Sequence, residues 1–217
     1  MYLTLYANEK GELIEHPGMG MLGRSGKEWL EPIAEEMILL PEGSSLVTVP
    51  YRIPVGIDEN GKLAYFDYNP FSAGEKVYAV AALLPQGFSR TLLPACTSQA
   101  NAKELPLFGY TAVGFKDGEI YVAAVQSDEH RKWHPERYNT EELPGKIKLM
   151  LEKYPENRIL RQLAHCSMEY GCFTAQNIFC QRWEGGIPTM NICNANCIGC
   201  ISESHTGVEA PQDRINF

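Results

Sequence analysis

Six of the seven cysteines of this 217-residue chain lie within 35 residues, and their spacing is the feature best able to do chemistry. They are Cys166, Cys172, Cys180, Cys193, Cys197 and Cys200. The last three form a C-x3-C-x2-C motif, and three thiolates this close can bind three corners of a cubane iron–sulfur cluster. One iron is then left without a protein ligand, and an open metal position is where chemistry takes place. Asn194, Asn196 and Gly199 tolerate left-handed backbone, which lets N–H groups point at the cluster sulfides.

The elements that must position these thiols begin with a β-rich region, residues 1–127. Glycine-containing turns predict three hairpins, at residues 8–11, 58–61 and 116–118. The last two carry Asn-Gly and Asp-Gly, which supply the positive φ angles of tight hairpins. Val77–Leu84 predicts a further apolar strand or a short buried helix. Seven prolines between positions 41 and 106 argue against long helices in this region.

Residues 128–186 form a second region with a different character. Its start, 128–138, is interpreted as a polar linker. Apolar residues at i, i+3, i+4 and i+7 predict a helix in Leu143–Tyr154, and Asn157 can cap a second helix whose apolar face includes Cys166. The stretch Gly171–Glu184 has no assignment. Beyond Gly185-Gly186, a third region covers residues 187–217, and Ile187–Ile192 predicts a short strand that runs into the cysteine motif.

The linker contains side chains with two interpretations. His130, Arg131, Trp133 and His134 could form a metal or substrate site, because two histidines four residues apart share a face of a helix. The neighbouring Pro135 favours a loop instead, with solvated charges and a single anchoring tryptophan.

The segment from Ile187 to Cys200, I-P-T-M-N-I-C-N-A-N-C-I-G-C, resembles the cluster-binding loop of radical S-adenosylmethionine (SAM) enzymes. The upstream run Cys166–Asn177, followed by Arg182-Trp183-Glu184, is similar to the approach region of bacterial members of this family. The resemblance implies that Cys193, Cys197 and Cys200 are the metal ligands of a [4Fe–4S] cluster, with SAM bound to the fourth iron. It implies an enzyme that cleaves SAM to a 5′-deoxyadenosyl radical, which abstracts hydrogen from a substrate. A flavodoxin or ferredoxin would supply the electron.

The resemblance also predicts the fold class. We expect an α+β chain with a β-rich N-terminal domain, then helices, then the start of a truncated (β/α) radical SAM barrel. Five further strand–helix units would need about 130–150 residues, whereas 17 follow Cys200. We therefore expect an N-terminal portion of a longer enzyme, with the remaining barrel as its partner, or a degenerate relative. Gly199 stands where the family often has an aromatic residue near the adenine, so the adenine contacts would come from elsewhere.

Two other functions also fit the clustered cysteines. A non-enzymatic zinc module could use Cys197-x2-Cys200 together with Cys166-x5-Cys172, or with His205 as a fourth ligand. An iron–sulfur electron carrier needs four protein ligands, and Cys166 or Cys172 would supply the fourth.

The cysteines outside the motif have two interpretations as well. Cys166, Cys172 and Cys180 could bind an auxiliary cluster or support the first one. They could equally be small buried hydrophobes, because free cysteine is among the most buried residue types. Cys96 stands alone in the β-rich region, and we expect it to be a core residue.

Charge and composition narrow the range of partners. The formal net charge is −8 and the sequence pI is about 5.2, which argues against a nucleic-acid surface and against an anionic membrane face. No apolar run approaches the length of a membrane span, and residues 1–10 lack the basic start and apolar stretch of a secretory signal. We therefore expect a cytoplasmic protein, where clustered thiols hold metal more often than they form structural disulfides.

Overall fold

The computed structural model describes residues 1–100, 102 and 109–186 of the chain. It has a mixed α+β fold in two compact units, which within these ranges are residues 1–128 (unit 1) and 129–186 (unit 2). Unit 1 is built on a large antiparallel sheet, and unit 2 consists of helices. Among the described helices, none combines the length and the apolar character needed to cross a bilayer.

Unit 1 contains a 3-10 helix at Ala34–Glu36 and many short strands that all pair in antiparallel fashion. The strands are β1 Leu3–Asn8, β2 Leu13–Met21, β3 Gly23–Ser25, β4 Glu28–Leu30, β5 Met37–Leu39, β6 Ser45–Val49, β7 Arg52–Asp58, β8 Leu63–Tyr65, β9 Val77–Leu83, β10 Phe88–Arg90, β11 Leu93–Pro94, β12 Cys96–Ser98, β13 Tyr110–Thr111, β14 Val113–Lys116 and β15 Glu119–Gln126. The main path of the large sheet runs β10-β15-β14-β1-β2-β7-β12, and β11-β3-β4 form a small separate sheet.

The three hairpins that the turn sequences predict are confirmed. Strands β1 and β2, β7 and β8, and β14 and β15 pair across residues 8–11, 58–61 and 116–118 respectively. In the tightest of these turns, Asp117 and Gly118 adopt φ angles of 51° and 88° between the paired residues Lys116 and Glu119. This is the left-handed conformation for which the Asp-Gly sequence is suited.

The core of unit 1 lies on both faces of its central strands. Strand β9, predicted as an apolar strand or a buried helix, is a strand that pairs with β1, β6 and β13. Val80 and Ala82 pack into one apolar cluster, whereas Ala79 and Ala81 pack into another with Val49 and Tyr110. Strand β15 is similar, with Val122 and Ala124 on one side and Ala123 on the other. Continuous burial explains why these strands lack a polar–apolar alternation.

A carboxylate ties the start of this core to the loop before β9. Glu75 accepts hydrogen bonds from the side-chain amides of Asn69, at 2.5 Å, and Asn8, at 2.9 Å. Both asparagines are buried, and the Asn69 Oδ1 lies 3.5 Å from the hydroxyl of the fully buried Tyr6. Burial, together with the Glu75 charge, raises the pKa of Tyr6 to about 12. The two asparagine hydrogen bonds lower the pKa of Glu75.

Unit 2 contains α1 His130–Trp133, a 3-10 helix at Pro135–Arg137, α2 Leu143–Lys153, α3 Arg158–Glu169 and α4 Phe173–Phe179. The two predicted helices are confirmed as α2 and α3, and the Asn157 side chain caps α3 by accepting from the Leu160 N–H at 3.0 Å. The interpretation of residues 130–133 as a loop is wrong, because they form a helical turn anchored by the buried Trp133. The unassigned stretch after Gly171 contains α4.

The Glu75 hydrogen bonds predict a pH-dependent contribution to stability. Because the folded pKa of Glu75 is lowered, its contribution is present at neutral pH and is lost as the pH falls through that folded pKa. We expect Glu75→Gln to lower the unfolding temperature at pH 7, since its NH2 group would face an asparagine donor. The difference from the wild type should shrink as acid protonates Glu75. The control is Glu59→Gln, in the exposed turn before β8. An equal effect of both variants would show that the Glu75 hydrogen bonds do not contribute to stability.

Close packing around Gly56 gives a second prediction. A Cβ atom at this buried position in β7 would lie 2.6 Å from both Met19 Cγ and Thr4 Oγ1, and the Thr4 hydroxyl already donates to the Gly20 carbonyl at 2.8 Å. We expect Gly56→Ala to lower the free energy of unfolding by about 1–3 kcal/mol through overpacking. Gly18→Ala, where a Cβ meets nothing within 4 Å, should change it by less than about 0.5 kcal/mol. Urea denaturation of both variants compares them; similar losses would show that the Gly56 contact is easily relieved.

Candidate functional site

The proposed cluster ligands Cys193, Cys197 and Cys200 lie outside the described residues, as do the predicted strand Ile187–Ile192 and His205. Their roles therefore stay predictions. The structure does describe the four other cysteines, the histidine pair and the helices that precede the motif in the chain. Among these described residues, no group of three His, Cys, Asp or Glu side chains has an arrangement that could hold a metal ion.

The turn between α3 and α4 brings Cys166 and Cys172 together. Helix α3 ends at Glu169, and Gly171 follows with a left-handed φ of 61° that reverses the chain. The Cys172 N–H then donates to the Cys166 carbonyl at 3.1 Å. The glycine is suited to this position because it has no Cβ to oppose a positive φ.

The three cysteines of unit 2 behave as core residues. Cys166, Cys172 and Cys180 are partly buried and pack against one apolar cluster, which comprises Leu143, Ile147, Leu163, Ala164, Ala175 and Phe179. Burial, with a smaller contribution from the neighbouring Cys172, raises the pKa of the Cys166 thiol. A raised pKa keeps the thiol protonated at neutral pH, whereas metal ligation and nucleophilic attack need the thiolate. Their surroundings therefore favour the interpretation of these thiols as small hydrophobes.

Cys96 begins strand β12 of unit 1 and lies at the margin of the core, as expected from the sequence. It is partly buried against the cluster that contains Val49 and Tyr110. Burial raises the pKa of its thiol, and the charges of Arg24 and Arg52 oppose that shift without reversing it. The thiol is thus held in its neutral form.

The His130–His134 region is built around an aromatic group. The two histidine rings lie 5.4 Å apart, and Trp133 between them in sequence is only 3% exposed. The Trp133 ring is parallel to that of Tyr138 at 6.2 Å and meets Trp183 edge-on at 6.0 Å. The expectation of an anchoring tryptophan is confirmed, but its anchor is an aromatic stack that the sequence did not reveal.

Two hydrogen bonds between Asn139 and Gln176 join this aromatic group to α4. The backbone N–H of Asn139 donates to Gln176 Oε1, and Gln176 Nε2 donates back to the side-chain oxygen Asn139 Oδ1, both at 2.8 Å. Gln176 is buried, and Asn139 adopts a positive φ of 53° that is tolerated better by asparagine than by most residues. The only sequence signal for this contact is that Gln176-Asn177 interrupts an otherwise apolar helix.

The Gln176–Asn139 pair predicts a coupled loss of stability. Gln176→Met preserves the side-chain shape but removes the two hydrogen bonds with Asn139 and a longer one, at 3.4 Å, to the Ser167 carbonyl. We therefore expect the free energy of unfolding to fall by about 1–3 kcal/mol. A double-mutant cycle with Asn139→Ala should give a coupling energy above about 0.5 kcal/mol, measured by urea denaturation and circular dichroism. The exposed Gln181→Met serves as the control. Additive losses in the cycle would show that the two amides do not act as a pair.

Comparison of the chain with protein-family models, curated proteins and solved structures gives no match in any of the three. Function has to be inferred from the chain's own chemistry: the thiols of the C-x3-C-x2-C motif and the buried polar side chains of unit 2.

Proposed function

We propose that this chain is a radical SAM protein in which Cys193, Cys197 and Cys200 bind a [4Fe–4S] cluster. The observation that carries the proposal is the C-x3-C-x2-C spacing, which follows directly on a segment, Ile187–Ile192, with the sequence of a short strand. On this proposal residues 187–217 begin a (β/α) barrel, and the rest of the catalytic barrel is the region with which the chain assembles.

The chemistry of the donor set fits the proposed cofactor. Thiolates are soft ligands that select iron–sulfur clusters, zinc or copper(I) over hard cations. Three of them satisfy three irons of a cubane and leave one iron open, which is the position that the family resemblance assigns to SAM. When bound, the cluster and SAM supply a one-electron reductive cleavage that yields methionine and a 5′-deoxyadenosyl radical. A flavodoxin or ferredoxin is the proposed electron donor.

Two properties of the described residues support this division among the cysteines. The upstream thiols Cys166, Cys172 and Cys180 share an apolar cluster, and the Cys166 pKa is raised. Their environment therefore suits packing rather than ligation. The motif cysteines stand among asparagines and glycine, whose backbone is able to turn around a cluster.

Anaerobic reconstitution with iron and sulfide tests the proposal. We expect the full chain to bind about four irons and to become brown through sulfide-to-iron charge transfer. Cys193→Ala, Cys197→Ala and Cys200→Ala in combination should abolish both signals. The matched control replaces Cys166, Cys172 and Cys180 with alanine and should retain the iron. Addition of SAM to the reduced wild type should change the electron paramagnetic resonance spectrum, because one iron is open to it.

Three outcomes would overturn the assignment. A full iron content in the motif variant would show that Cys193, Cys197 and Cys200 are not the cluster ligands. One zinc per anaerobically purified chain, with no iron uptake, would favour the non-enzymatic zinc module. A cluster that forms but ignores SAM would instead indicate an electron carrier with four protein ligands.

A further inference from the structure

Unit 2 buries polar atoms that its packing does not satisfy. Asn177, on α4, is 1% exposed, yet neither its Oδ1 nor its Nδ2 has a hydrogen-bond partner in the described part of the chain. The Nη1 atom of Arg182, just beyond the helix, is also buried without one. Buried amides and guanidinium groups are almost always hydrogen-bonded, so we expect each of these atoms to bind a partner.

The two side chains lie together beside Tyr138. The backbone N–H of Arg182 donates to the backbone carbonyl of Asn177 at 2.9 Å, which fixes the two residues relative to each other. The Arg182 guanidinium carbon lies 5.0 Å from the Tyr138 ring centre and 5.8 Å from that of Trp183. The Tyr138 hydroxyl already donates to the Lys132 carbonyl at 3.3 Å. The donors without a partner beside this ring are Asn177 Nδ2 and Arg182 Nη1.

The charged side chains that act on the Tyr138 hydroxyl are both arginines, although the whole chain has a net charge of −8. Burial raises the pKa of Tyr138, and the Asn177 amide, the charge and a side-chain contact of Arg182, and the charge of Arg137 oppose that shift. The Asn177 contact acts on the hydroxyl without reaching hydrogen-bond geometry. No carboxylate contributes to the balance at Tyr138 among the described residues. An anion bound here would therefore face the Arg182 guanidinium, with a smaller favourable contribution from the charge of Arg137.

The site has an inner end and an open end. Asn177 forms the buried end, whereas Arg182 is half-buried and Trp183 is 40% exposed. The exposed side of the pair is therefore the Arg182–Trp183 side. The Asn177 side-chain atoms are closed to solvent, which strengthens a charged hydrogen bond formed there.

We propose that Arg182 and Asn177 form a binding site for the carboxylate group of a small molecule. Two donors, Arg182 Nη1 and Asn177 Nδ2, match the two oxygens of one carboxylate, and a guanidinium favours such planar acids. Asn177 Oδ1 then accepts from an N–H of the same ligand where the ligand has one. A phosphate carries more oxygens and more charge than these two donors satisfy. The site is formed by described residues of unit 2 and does not depend on an iron–sulfur cluster.

Tryptophan fluorescence of the 217-residue chain tests this proposal, because Trp133 and Trp183 flank the site. At constant ionic strength, sodium acetate or glycine should produce a saturable change in emission, on the order of millimolar in affinity. A stronger response to glycine would assign the site to α-amino carboxylates. Equal responses to glycine and acetate would assign it to simple carboxylates. Sodium chloride and phosphate should produce no saturable change. Absence of saturation with both acetate and glycine, or an equal response to chloride, would overturn the proposal.

Two variants locate the binding. Arg182→Gln should weaken acetate binding about tenfold or more, which is the effect of losing one charged hydrogen bond. Asn177→Asp should abolish it, since the new carboxylate would pair with Arg182 and occupy the site itself. Arg131→Gln removes an exposed charge of the same unit and should leave binding unchanged. Circular dichroism and unfolding temperature establish that each variant is folded. Wild-type affinity in a folded Asn177→Asp variant would exclude this site.

Discussion

Unit 1 depends on a central strand that is hydrogen-bonded to three neighbours and buried on both faces. Strand β9 pairs with β1, β6 and β13, and consecutive residues from Ala79 to Ala82 enter two different apolar clusters. Interiors are packed at close to crystal density, so a strand with neighbours on both sides has little room for large side chains. Three alanines in this run, and Ala123 and Ala124 in β15, meet that constraint. The hairpins join these strands by pairing, directly or through β1, and the β7–β8 hairpin does so through β2.

The sequence predicts those parts of the fold that local chemistry determines. Asp117-Gly118 sets a turn whatever surrounds it, and Asn157 caps a helix through its own side chain, so both elements were predictable. Short strands such as β3, β4 and β11 were not, because two or three residues become a strand only through pairing, and β11 pairs with β3 far away in the sequence. Helix α4 carries Gln176-Asn177 in its interior, which obscures the apolar pattern from which a helix is recognised.

The cysteines illustrate the same limit on a candidate site. Spacing distinguishes the motif Cys193, Cys197 and Cys200, because three ligands of one cluster have to be close along a short loop. Spacing alone left Cys166 and Cys172 with several roles. Their role depends on surroundings: both pack against the apolar cluster of unit 2, and burial raises the pKa of the Cys166 thiol. Proximity in sequence therefore groups six cysteines, whereas the apolar packing of Cys166, Cys172 and Cys180 gives these three a role of their own.

Helix α4 buries Ala175, Gln176 and Asn177 in succession, although consecutive residues of a helix point about 100° apart. The helix is thus enclosed around much of its circumference, and apolar side chains would satisfy such an environment without hydrogen bonds. Gln176 has an internal reason to be polar, since it bonds Asn139 in both directions. Asn177 has no such partner among the described residues, and neither does the Nη1 atom of Arg182 beside it. Because an unpaired buried amide opposes folding, its presence next to an arginine and three aromatic rings is better explained by a ligand than by packing.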